Sequence, residues 1–153
     1  MKDSTGTGLG QGTGSGSGST GNWQFSPKAG DTTQGHNATA TFVSSGTINA
    51  LSISGSTAAG DTVLNIIISL PSATIPSTGS YAASSGAATL QVSDAFGTSI
   101  YSAIAISGVT LTINITSYNA ATKELVGTFS GNVKGAGGFA ATLSAGKFDV
   151  VVH

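Results

Sequence analysis

The chain has 153 residues, one domain's worth, and carries five lysines, no arginine and six carboxylates for a net charge of −1. So sparse a charge excludes the basic stripe of a nucleic-acid-binding protein and the polybasic patch of a membrane-surface binder. No apolar run reaches the roughly 18–20 residues of a membrane-spanning helix, and the absence of cysteine excludes disulfides, thiolate metal sites and thiol catalysis.

Residues 1–22 hold eight glycines, four serines and four threonines, with Leu9 the only apolar residue besides Met1. Such a segment cannot bury enough surface to offset its ordering entropy, so it is expected to be a flexible, disordered tether spanning roughly 25 Å as a coil. From Trp23 the texture changes to the period-2 alternation of strands. Short strands are predicted at Trp23, around Phe42, and around Leu51 and Ile53. The run Val63–Leu70 places Leu64, Ile66, Ile68 and Leu70 on one side and Val63, Asn65, Ile67 and Ser69 on the other, which predicts a central strand. Leu90 with Val92 and the stretch Ile100–Ile106 give two more. Val109, Leu111, Ile113 and Ile115 then alternate with Thr110, Thr112, Asn114 and Thr116, the pattern of a strand with one solvated face. Tyr118–Thr122 is predicted to turn the chain into a return strand, Leu125–Val133, on which Phe129 lies across the gaps left by Gly127 and Gly131. Phe139–Leu143 and Phe148–Val152 complete the set. Turn signals separate these runs at Ser45-Gly46, Gly60-Asp61, Pro71–Gly79, Gly97 and Gly135–Gly138. About nine to eleven short strands without a helical stretch predict an all-β fold over residues 23–153, an antiparallel β-sandwich or flattened barrel.

Reactive residues are few. His36 and the terminal His153 are the only histidines, too few for a histidine-rich metal site. A triad using His36 with Asp31 or Asp94 lacks a Gly-x-Ser-x-Gly elbow, and serine is too abundant for a chance pairing to carry meaning. Asp31, Asp61, Asp94 and Glu124 fall in predicted turns or at strand ends, where carboxylates stabilise turns. The three aspartates could offer oxygen ligands to calcium, but no Asp-x-Asp spacing supports it. The chain is therefore expected to be non-catalytic, without cofactor or metal. Trp23, Tyr81, Tyr101 and Tyr118 are the candidate ligand or partner contacts, since each combines an apolar ring with a polar tip; the alternative places them at the edge of the core.

Ile115–Val133 (ITSYNAATKELVGTFSGNV) and Leu143–Val152 (LSAGKFDVVV), with Trp23 and the Gly79/Tyr81 pair, resemble small surface (outer-membrane) lipoproteins of Gram-negative bacteria, a largely uncharacterised group. The resemblance covers about residues 23–152, rests on structural rather than catalytic motifs, and implies an antiparallel β-sandwich. It also implies that Met1 stands where such proteins carry a lipidated cysteine, with Lys2-Asp3 as the remnant of an export signal. Ser4, Thr32 and Thr62, each following an aspartate, resemble O-glycosylation acceptors of the same bacteria. The expectation is a lipid-anchored cell-surface domain that binds an outer-membrane protein partner or a glycan, as a binding module or accessory subunit. The alternative is a structural or adhesive surface protein that self-assembles by edge-strand pairing.

Overall fold

A computed structural model of the chain describes residues 21–153. The predicted tether therefore lies, but for its last two residues, outside the described residues. Eleven strands follow in order: β1 (Asn22–Ser26), β2 (Thr33–Gly35), β3 (Thr39–Ser45), β4 (Ile48–Ser56), β5 (Thr62–Ser69), β6 (Gly79–Ala82), β7 (Ala88–Asp94), β8 (Ser99–Ala103), β9 (Thr112–Asn119), β10 (Glu124–Gly135) and β11 (Ala140–Val151). They form one antiparallel sheet in the order β2-β1-β11-β10-β8-β7-β5-β4-β3, with β9 on the first half of β10 and β6 on β9. The sheet curls until its two sides meet. Ala40 of β3 forms a parallel bridge with Val152. The His153 N–H donates to the Ala40 carbonyl (2.8 Å) and the Phe42 N–H to the His153 carbonyl (3.4 Å). The result is the flattened-barrel form of the expected all-β fold.

The alternations read in the sequence decide which side faces in. Leu64, Ile66, Ile68 and Leu70 are buried, as are Val109, Leu111, Ile113 and Ile115. β5 is central, flanked by β4 and β7, yet its outer face keeps Ile67 46 % exposed. The core is one cluster, threaded by a line of rings. Trp23 stacks on Phe25 (6.1 Å between centroids), Phe25 meets Phe129 (6.2 Å), and Phe129 stacks on Phe148 (6.5 Å), each contact contributing about 0.5–1.5 kcal/mol beyond area burial.

Glycine allows the close packing of this line. In the β10–β11 ladder Gly127 faces Phe148 and Phe129 faces Gly146. A methyl group on Gly127 would collide with the Phe148 ring and the Asn114 carbonyl, and one on Gly146 with the backbone and ring of Phe129. Phe129 thus covers Gly146, not Gly127 and Gly131 as its own strand's pattern predicts. Gly131 serves another purpose. Its φ of +136° and its approach to the Leu111 backbone mark where the sheet forks, β9 lying below this point on β10 and β8 above it.

Several boundaries differ from the sequence expectation. Residues 140–151 form one strand rather than two, because an extra residue near Ser144–Gly146 is absorbed as a bulge against Phe129–Gly131, with Ala145 at φ +51°. β6 begins at Gly79, where a turn was expected, and β2 was not foreseen. Both have three or four residues and borrow their alignment from a neighbour. β8 ends at Ala103, leaving Ile104 and Ile106 exposed. The turn after β9 falls at 120–123, fixed by Asn119, whose Oδ1 accepts the N–H groups of Ala121 (2.9 Å) and Thr122 (3.2 Å).

Candidate functional site

The four candidate aromatic residues do not assemble into one platform. Trp23 faces inward on β1, opposite Phe148 and Gly35, and is 2 % exposed. It has no face to offer a ligand. Its indole edge lies in a cradle made by two absent side chains, since a Cβ on Gly35 or Gly55 would come within 2.5 or 2.7 Å of Nε1. That Nε1 is buried without a hydrogen-bond partner. Tyr81 is buried on β6 opposite Ile113, and its ring folds over Gly79, where a Cβ would meet Oη at 2.8 Å. That contact explains the Gly-x-Tyr spacing. Burial pushes the Tyr81 phenol above its ordinary value. Tyr101 sits edge-on to Phe25 (6.3 Å between centroids) and packs against the core.

Tyr118 lines a concave surface. It lies near the end of β9, half-buried, and forms with Phe42, Thr74, Ile75, Ser77 and Ala120 an open groove of about 460 Å³. Three separate pieces of chain build it: β3, the loop after β5, and the turn after β9. Phe42, Ile75 and Tyr118 rest on the core beneath, so the floor is apolar while Thr74 and Ser77 supply hydroxyls at the rim. None of the lining residues is charged. Sequence reasoning missed Phe42 and Ile75. The one available signal was Ile75 itself, an apolar residue held between Pro71 and Pro76 in an otherwise polar loop.

The loop carboxylates are each occupied by their own turn. Asp94 Oδ1 accepts the N–H groups of Phe96 (2.9 Å) and Thr98 (2.8 Å), and these bonds, Thr98 foremost, hold its carboxyl below the ordinary value. Thr57 Oγ1 donates to Asp61 Oδ1 (2.5 Å), and Lys28 pairs with Asp31 at 3.5 Å on the exposed β1–β2 loop. Among the described residues no three His, Cys, Asp or Glu side chains gather to hold a metal ion. His36 follows β2, its Nδ1 2.9 Å from Asn22 Oδ1.

An unforeseen pair sits on the outer face of β10 and β11. Asp149 faces Val126, which places it diagonal to Glu124. Glu124 Oε2 and Asp149 Oδ1 are both shielded from water. Burial first, then the hydrogen bond and charge of Asp149, push the Glu124 carboxyl above its ordinary value. Of the sequence-derived acceptor residues, Thr32 is exposed, Thr62 is half-buried at the start of β5 opposite Asp94, and Ser4 lies outside the described residues. No helix among the described residues is long and apolar enough to cross a membrane. Comparison with protein-family models, with curated proteins and with solved structures found no match.

Proposed function

We propose that this chain is the folded domain of a cell-surface lipoprotein, held at the outer membrane through its Gly/Ser/Thr-rich tether and acting as a non-catalytic binding module or accessory subunit of an outer-membrane complex. The supporting observation is the uncharged groove of Phe42, Ile75 and Tyr118 with its hydroxyl rim. An apolar floor with a few polar groups at its edge suits a protein segment or a glycan ring better than a charged substrate. The lipid anchor rests on the resemblance of residues 23–152 and on the composition of residues 1–22. Of the two O-glycosylation candidates among the described residues, Thr32, in its exposed loop, is better presented than the half-buried Thr62.

A second reading, self-assembly by edge-strand pairing, draws on β3. Beyond Phe42 this strand pairs, among the described residues, only with β4, and its hairpin exposes Val43 at 49 % and Ile48 at 66 %. An open, partly apolar edge is a template for another strand. Crosslinking the full-length protein in intact cells and identifying what is captured separates the readings. Outer-membrane transporters or secretion components support the accessory role, and capture of itself alone supports assembly. Capture of cytoplasmic proteins alone overturns both.

A further inference from the structure

The end of the barrel opposite the groove carries two exposed phenylalanines. Phe96, at the tip of the β7–β8 hairpin, is 94 % exposed, and Phe139, in the β10–β11 turn, is 77 % exposed. The two tips are neighbours, because β8 pairs with β7 on one side and with the end of β10 on the other, Tyr101 facing both Val92 and Gly135. Neither turn has loose backbone. Asp94 holds the N–H groups of Phe96 and Thr98, the Gly97 N–H donates to the Asp94 carbonyl (3.1 Å), and the Gly135 N–H to the Phe139 carbonyl (2.6 Å). The rings are thus presented on turns that lose little freedom when covered. The tips themselves, Ala95–Thr98 and Ala136–Phe139, bear no charge.

The register places the groove at the far end. Tyr118 pairs with Leu125, ten residues before Gly135 on β10, roughly 33 Å away along the strand. Phe42 is level with Leu51, Ile68 and Ala88, at the start of β7, whereas Phe96 lies beyond its end. One molecule therefore carries an apolar knob at one end and an apolar groove at the other. A benzene-sized ring occupies a cavity of about 150 Å³, so a groove of about 460 Å³ has room for both rings. Covering these surfaces strips water from no charged lining residue.

We propose that the occupant of the groove is a second copy of this chain, whose Phe96 and Phe139 seat against Phe42, Ile75 and Tyr118. The inference rests on the reading of the groove as a binding site and names its partner. Because knob and groove lie on opposite ends, the contact is head-to-tail and does not close on a dimer; it propagates as an open chain. Two phenylalanines bury about 150–250 Å² each, well short of a standard stable interface, so the association is weak and rises with concentration. This differs from β3 edge pairing, which needs neither ring.

Sedimentation of the full chain over a wide concentration range tests it. The expected result is an average mass that climbs past the dimer without a plateau. Phe96→Ser with Phe139→Ser removes the knob at exposed positions, and Ala120→Trp fills the groove from an exposed turn. Each should weaken association at least about tenfold while leaving the far-ultraviolet spectrum and melting temperature unchanged. Mixing the two variants restores one productive contact, giving one-to-one pairs and nothing larger. A mass that stays monomeric throughout, stops at a dimer or ignores both variants overturns the inference. Should the chain stay monomeric while Ala120→Trp loses a crosslinked surface partner in cells, the inference falls and the groove-binding reading stands.

Discussion

At the scale of single residues, Glu124 and Gly127 make the sharpest demands. The raised carboxyl of Glu124 stabilises the fold in its protonated form. Its contribution is complete below the ordinary carboxyl value and is lost as pH rises through the elevated one. Melting curves from pH 4 to pH 8 should therefore show stability falling across that window through this group, and Glu124→Gln should flatten this component and raise stability at neutral pH. Asp94 has the opposite sign. Its lowered carboxyl contributes stability above the ordinary value that is lost on acidification, so Asp94→Asn weakens the β7–β8 hairpin most at neutral pH. Gly127→Ala forces a methyl group into the Phe148 ring and the Asn114 carbonyl, and urea denaturation should show a loss of about 3 kcal/mol. A cost below 1 kcal/mol would mean that the two strands can part at little expense.

Among the elements, the hairpin of β9 and β10 carries its own strain. Lys123 sits at φ +60°, where a side chain is disfavoured by about 1–2 kcal/mol and glycine is not. Lys123→Gly should raise the urea midpoint by the equivalent of about 1 kcal/mol, and no change would show that the turn relaxes without help. This hairpin also shows what the sequence makes legible. Its strands declare themselves by alternation that keeps one face apolar whatever lies across from it, although β9 begins only at Thr112 and the expected start of the strand, with Val109 and Leu111 buried all the same, precedes it. The bulge that joins 140–143 to 148–151 does not declare itself, because it answers to Phe129 on another strand. β2 and β6 are too short for a period, and take their place from β1 and β9. The same reason hid most of the groove: Tyr118 was named as a contact, but Phe42 and Ile75 meet it only after the sheet has curled.

For the whole molecule, closure depends on a thin seam. Where the long β10–β11 ladder runs through ten registered pairs, the meeting of β3 with the chain's last residues rests on one bridge, Ala40 with Val152, and on the bonds of Phe42 to His153 and of His153 to Ala40. Amides at Phe42 and His153, whose bonds cross the seam, should exchange with solvent well before those of Val126 or Val150, since a seam with few bonds opens locally while the ladder holds. Val152→Ala, which hollows the seam at a buried position, should cost about 1–3 kcal/mol and speed exchange at Ala40 and Phe42 first. Trp23 gives the molecule a gauge of this opening. It is the sole tryptophan, and its indole is buried between Gly35 and Gly55 beside Ala38, one residue before β3 begins. Its fluorescence in the closed barrel should be blue-shifted and inaccessible to iodide. Any treatment that parts β3 from the C-terminal strand should admit quencher and redden the emission before the far-ultraviolet spectrum changes, so that the seam reports on itself in intrinsic light.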